Sequence, residues 1–259
     1  MSRLAALFLI AWLAVPARAQ SASDVVGAWQ RGWREAAAGV ASVEMRETVA
    51  REIAGPRGTV RVETTARLRY APGERANRTV ERATVNGRSV DPDRLPDLDE
   101  RHERALGPGP SPLFRAPPSP DAFLATARLR GVRRETVDGV PMWRVEVELP
   151  PPDGRRPGPR PGDRRRGGRP LGPPPDGPPG PPVGAAWFAG DADAPRLVRL
   201  DLPAGPHGTL SVDYRRVDGL DLPAAADGSA RLRQQRRLRG YEVTATLRAT
   251  YADHRIARR

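Results

Sequence analysis

Cysteine is absent from this 259-residue chain. That excludes a disulfide framework, a thiolate nucleophile, a zinc–thiolate site and a lipid-modified cysteine near the N-terminus. Lysine is absent too, so every basic side chain is arginine. Aromatic residues make up only 5% of the chain. No apolar run beyond residue 15 is long enough to cross a bilayer as a helix, which takes about 20 residues. Histidine is nearly missing, with His102, His207 and His254 far apart. His102 sits among alternating Asp, Glu and Arg (residues 99–104), which reads as a solvated charged helix. His207 follows Gly205-Pro206 in a turn, and His254 falls at a frayed C-terminus. None has a second histidine at metal-ligand spacing. Gly-x-Ser-x-Gly is absent, as is a phosphate-cradling glycine loop ahead of a helix. These absences predict a protein that is not an enzyme and carries no metal or cofactor.

The N-terminus reads as an export signal. Arg3 precedes the apolar run Leu4–Val15, Pro16 breaks it, and Ala17-Arg18-Ala19 is a small-x-small cleavage site. The expectation is a cleaved signal over 1–19, a periplasmic location, and one domain over 20–259 that is not a lipoprotein. The formal charge is +12. Arg3 and Arg18 leave with the signal, and 151–182 holds seven Arg against three Asp. The remaining excess is scattered among Glu and Asp, with no basic stripe and no interleaved aromatics. Nucleic acid is therefore not an expected partner; an anionic membrane surface remains one.

What is present is alternation. Tyr241, Val243, Ala245, Leu247, Ala249 and Tyr251 share one parity, and Glu242, Thr244, Thr246, Arg248 and Thr250 the other. A period of two marks a half-buried strand. The pattern recurs upstream. Val43, Met45, Val49 and Ile53 share a parity that Glu47 and Arg51 interrupt. Past Gly55–Gly58, Val60, Val62, Ala66, Leu68 and Tyr70 alternate with charged residues. Further strands are expected at 78–85, 128–137, 142–149, 185–188, 195–202, 208–217, 230–238 and 240–255. Asn86-Gly87 is a tight-turn signal, and Asp138–Pro141 separates two of the runs. Alternating signs on the polar faces predict cross-strand Arg–Glu pairs.

Two other segments differ. Ser23 or Asp24 is the expected cap of a helix reaching about Ala38, whose Val25, Val26, Trp29 and Trp33 form one apolar stripe. Between Asp91 and Ala127 the pattern loosens, with a short helix over 95–106, a Pro-rich irregular stretch, and one or two helical turns over 121–127. Residues 151–182 are almost wholly Pro, Gly, Arg and Asp, too poor in apolar surface to offset the entropy of ordering. A disordered insertion is expected there.

One helix of about fifteen residues covers roughly 22 Å. It cannot cover a sheet of eight or more long strands, which favours an apolar cavity over simple packing. The candidate lining is Val60, Val62, Leu68, Tyr70, Trp143, Val145, Val147, Tyr241, Val243, Leu247 and Tyr251.

The run Gly139–Val147, the pair Ala186-Trp187-Phe188 and Leu197–Leu200, the segment Tyr214–Pro223 and the closing Tyr241–Tyr251 strand together resemble the LolA-like family of lipoprotein-sorting and lipid-carrier proteins. The likeness spans nearly all of the expected mature chain except 151–182. It implies a mainly β (α+β) fold: a strongly curved antiparallel sheet forming an incomplete β-barrel, with N-terminal and lid helices. It also implies a non-enzymatic periplasmic carrier or sensor of lipids or lipoprotein acyl chains. The alternative is an envelope protein-interaction or stress-sensing module on the same fold, with the Arg/Pro-rich insertion as its contact arm.

Overall fold

The computed structural model describes residues 20–56, 58–71, 77–94, 120–148, 183–203, 208–236 and 239–259, with backbone alone at 122, 232–236 and 239–241. The expected signal, the helix over 95–106, His102, His207 and the insertion 151–182 lie outside the described residues.

The first element is helix α1, Ala22–Ala37. Its cap is Ser21, two or three residues earlier than the sequence suggests. The Ser21 hydroxyl accepts from the Asp24 amide at 3.2 Å, and the Asp24 carboxylate accepts from the Ser21 amide at 2.9 Å. Asp24 therefore completes a reciprocal capping box instead of starting the helix. Val25, Val26, Trp29 and Trp33 are buried, as their spacing requires.

Strands β1 (Val40–Gly55), β2 (Gly58–Tyr70), β3 (Asn77–Val85) and β4 (Arg88–Val90) follow, then a single 3₁₀ turn, Pro92–Arg94. Helix α2, Pro120–Thr126, precedes β5 (Arg128–Val137), β6 (Val140–Glu148), β7 (Val183–Ala189), β8 (Arg196–Pro203), β9 (Gly208–Val217), β10 (Leu220–Arg236) and β11 (Arg239–Arg258). All eleven form one antiparallel sheet in the order β4-β3-β2-β1-β11-β10-β9-β8-β7-β6-β5. Two meanders are thus joined by pairing the first strand with the last. The sheet is not closed, because β4 and β5 are edges.

Three hairpins turn on two residues of positive φ: Asn86-Gly87, Asp138-Gly139 and Asp218-Gly219. Such turns match the right-handed twist of the strands they join, and only Gly, Asn and Asp adopt them readily. Strand β10 begins at Leu220, ten residues before the sequence suggests. Its first half carries Pro223 and the weak strand formers Ala224-Ala225-Ala226, but it pairs with β9 throughout. Pro223, which has no N–H to donate, sits beside a register shift between Pro223 and Ala225.

A second irregularity lies next to it. Glu44 pairs with Arg255 and Arg46 with Ala252, so Asp253 and His254 of β11 oppose Met45 alone. Asp253 takes φ 53°. Further shifts occur in β2–β3, β5–β6 and β7–β8. Bulges bend the strand that carries them and raise local twist, so adjacent ones curve the sheet as a whole. His254 lies within this strand and not at a frayed end. The strand continues to Arg258, and the Arg259 amide still bonds the Gly39 carbonyl at 2.7 Å.

The inner face carries the core. Val43, Met45, Leu68, Val145, Val147, Ala186, Phe188, Leu200, Val212 and Leu247 join Trp29 and Trp33 of α1 in one apolar cluster, with Leu124 of α2. The outer face carries the expected ion pairs: Arg67 bridges Glu44 at 3.5 Å and Glu81 at 3.0 Å across three strands. Exposed pairs of this kind contribute less than about 1 kcal/mol each.

Candidate functional site

Helix α1 is fixed to one side of the inner face. Its main contacts are with β5, β6 and β10. Trp29 stacks obliquely on Phe188 of β7 with ring centroids 5.9 Å apart. Its indole N–H donates to Asp221 at 2.8 Å. Asp221, 1% exposed, also accepts from the Leu197 amide at 2.9 Å and from Arg216 Nε and Nη2 at 2.8 and 3.0 Å. Four donors compensate the burial of this carboxylate. The cluster is structural and locks the helix to β8, β9 and β10.

The candidate lining residues divide between this region and the rest of the face. Leu68, Val145, Val147, Leu247 and Tyr251 are buried in the main cluster, and Tyr70 and Trp143 are half-buried against it. Val62 is buried in a separate small cluster with Ala83, against which Val60 packs. Val243 is buried but belongs to neither cluster. Tyr241 lies in β11, and its side chain is outside the described residues. Valines 145 and 147 are on β6, one of the strands that α1 contacts. The β1–β2–β11 part of the face lies to the other side.

That part is not wholly apolar. Glu47 of β1, directly opposite Tyr251 of β11, is only 3% exposed. Arg78 of β3 donates from Nε to Glu47 Oε2 at 2.6 Å and from Nη2 to Thr64 Oγ1 at 3.0 Å. The Tyr251 hydroxyl donates to Glu47 as well, and burial followed by the Glu47 charge pushes that hydroxyl far up. Tyr214 of β9 is 7% exposed, and its hydroxyl has no hydrogen-bond partner. Burial, and after it the neighbouring Tyr70, push it up. Tyr70 is raised first by burial and then by Asp121 of α2. Tyr70 on β2 and Tyr214 on β9 are separated by β1, β11 and β10. On a flat sheet their backbones would be about 19 Å apart. An influence of Tyr70 on Tyr214 across that span requires the sheet to curl, so that the two side chains approach each other over its inner face.

Parity alone predicts Tyr70 and Tyr251. Glu47 appears in the sequence only as an interruption of an apolar parity, which already places it inward. Tyr214, Arg78 and Thr64 were missed. Tyr214 shared the inward parity of Leu210 and Val212 and was available to the same argument. Arg78 carried no signal, because its partner Glu47 lies two strands away.

The outer face holds an open groove of about 590 Å³ across β2, β1, β11, β10 and β9. Small residues (Ala50, Ser211, Gly228 and Ser229) floor it, and Arg61, Glu52, Asp227 and Arg248 stand around it. Beside it Asp201 accepts from Trp187 Nε1, Arg199 Nε and Ser211 Oγ, each at 2.7 Å. Burial pushes the Asp201 carboxyl up, but bonds from Ser211, Arg199 and Trp187 together hold it below the usual range. Burial raises Asp213; Arg199 opposes that, and Asp201 and Asp227 reinforce it. Among the described residues no group of three or more His, Cys, Asp or Glu is placed to hold a metal ion. No described helix is long and apolar enough to cross a membrane.

No family model matches the sequence, and no curated protein matches it. Solved structures do. An outer membrane lipoprotein-sorting protein domain from Vibrio parahaemolyticus is similar over 88% of this chain and 91% of its own, at 11% identity and a TM-score of 0.36. A DUF1329 family protein from Desulfovibrio piger is similar over 90% and 93%, at 8% identity and a TM-score of 0.36. MucB, in complex with MucA, is similar over 87% and 92%, at 14% identity and a TM-score of 0.20. At these scores the matches carry nothing about function. The curved, open antiparallel sheet expected from the sequence is present, and it rests on its own strand order and register.

Proposed function

We propose that the chain is a non-enzymatic periplasmic carrier or sensor that holds lipids, or the acyl chains of lipoproteins, on the inner face of its sheet. The observation that carries this reading is a mismatch of areas. Eleven strands at about 4.8 Å spacing span roughly 50 Å. Helix α1, sixteen residues long, is about 24 Å long and about 10 Å wide, and it packs mainly on β5, β6 and β10. Apolar side chains continue past it onto β1, β2 and β11, where Val49, Val62, Leu68 and Leu247 point inward and are buried by the curled sheet although α1 packs mainly elsewhere. Acyl chains suit such a surface because each buried methylene contributes about 0.8 kcal/mol. A chain of sixteen carbons needs only part of that to bind in the micromolar range.

Native mass spectrometry of the mature protein, extracted from cell membranes without delipidation, tests the reading. The expected spectrum contains adducts at the masses of acyl lipids or of a lipoprotein. Protein that emerges empty, and stays empty when offered a monoacylglycerol, rules the reading out.

A further inference from the structure

The polar residues of the inner face are unequally satisfied. Glu47 receives Arg78 and the Tyr251 hydroxyl, and Arg78 also reaches Thr64. Tyr214 alone of this group has a buried hydroxyl without a partner. It faces the same side of the sheet as Tyr251 and Glu47, in a row that crosses β9, β10, β11 and β1 through the pairs Tyr214–Pro223 and Glu47–Tyr251. A hydroxyl that has lost its water without gaining a protein partner is a donor whose desolvation has already occurred. An acceptor that reaches it recovers that free energy. From this arrangement we infer that Tyr214 donates a hydrogen bond to the ester or amide carbonyl of an acyl chain bound on the inner face. The inference rests on the acyl-binding reading above and deepens it by naming the ligand group that is recognised.

The local charges decide which acceptor fits. Arg78 reaches into this row, and Glu47 neutralises it at 2.6 Å. The described carboxylate next to Tyr70 is Asp121. Among the described residues this row offers no positive charge beyond the paired Arg78, so an anionic carboxylate or phosphate would be buried against Glu47 and Asp121 at high cost. A carbonyl carries no charge and has two lone pairs. It can bond the hydroxyl while its hydrocarbon chain lies on Val49, Leu68 and Leu247. Esters of glycerolipids and the amide and ester links of acylated proteins share this chemistry.

The test compares four probes on the mature full-length protein at neutral pH, by isothermal titration or native mass spectrometry. They are a monopalmitoyl glycerol ester, its hexadecyl ether, an N-palmitoyl amide and palmitate. The ester or the amide should bind about tenfold tighter than the ether, the effect of one hydrogen bond whose protein donor is already desolvated. Which of the two does so tells glycerolipid from acyl-amide recognition. Palmitate should bind no tighter than the ether. Tyr214→Phe, which keeps the ring and its packing, should lower ester or amide affinity to that of the ether and leave the ether unchanged. Equal binding of ester, amide and ether to the unmodified protein overturns the inference and leaves acyl binding intact. So does a carbonyl preference that survives in Tyr214→Phe. Binding of none of the four removes the acyl-binding reading and this inference with it.

Discussion

At the residue scale, His254 has a defined protonation state. Its Nε2 lies 2.9 Å from the Pro223 carbonyl, which can only accept, so Nε2 carries the proton. Nδ1 faces the guanidinium of Arg215, which can only donate, so Nδ1 must be bare. The ring is therefore neutral in the folded protein. Burial lowers its pKa below the ordinary value and the Arg215 charge adds to that, while the Pro223 carbonyl and Asp253 oppose. Asp253 is itself engaged by Arg46 at 3.3 Å. A base whose folded pKa is lowered binds its proton more readily when unfolded. The contribution of this site is thus complete above about pH 6.5, the unfolded value, and is lost as pH falls from there toward the lower folded value. Thermal melts of the unmodified protein and of His254→Gln check this. The unmodified protein should lose more stability than the variant between pH 7.5 and pH 5. Parallel losses would mean that the ring is not held neutral. Asp201 acts in a lower window, since its depressed carboxyl stabilises above the unfolded value near pH 4 and fails below it.

At the element scale, the docking of α1 is tested by two glycines in identical turns. Gly87 and Gly219 occupy the second position of two-residue hairpin turns, at φ 77° and 86°. A Cβ on Gly87 would meet nothing within 4 Å, whereas one on Gly219 would lie 3.0 Å from the Cβ of Ala36 in α1. Gly87→Ala should cost about 1 kcal/mol, the strain of a left-handed conformation. Gly219→Ala should cost that and roughly a further 1 kcal/mol, because α1 must shift from the turn it rests on. Denaturant titration of the two variants measures the difference. Equal losses would show that the helix yields freely. These elements also mark what the sequence discloses. The turns Asn86-Gly87 and Asp138-Gly139 were legible because left-handed backbone restricts residue choice so strongly. The inward parities of β1, β2, β6 and β11 were legible because burial demands them. Strand β10 was legible only from residue 230, since Pro223 and the alanines after it have little strand preference. Pairing with β9 along this half, and with β11 from Ala225 onward, overrides that preference. The Glu47–Arg78 pair was not legible, because it joins strands that meet only through the intervening β2.

At the scale of the whole molecule, the sheet is two meanders held by the β1–β11 pair, with edges at β4 and β5. A curved open sheet of this kind needs its central seam continuous, and the described insertion point avoids that seam. Glu148 of β6 pairs directly with Val183 of β7, so the chain leaves and re-enters the sheet at paired residues. The strands on either side of the Pro/Arg/Gly-rich segment therefore need only a short turn to stay in register. Replacing 151–182 by Asn-Gly leaves a four-residue loop and removes seven Arg and three Asp. Shortening the connection about eightfold lowers its closure cost by roughly 2 kcal/mol at most. The shortened protein should melt no lower than the parent and, on the acyl-binding proposal, show the same acyl adducts in native mass spectrometry. Its adsorption to anionic vesicles should fall, because the segment carries a net charge of about +4 toward such a surface. A lower melting temperature would instead mean that the segment contributes contacts to the folded sheet. Loss of acyl load with unchanged stability would place the segment in ligand capture, where the inner face alone is expected to suffice.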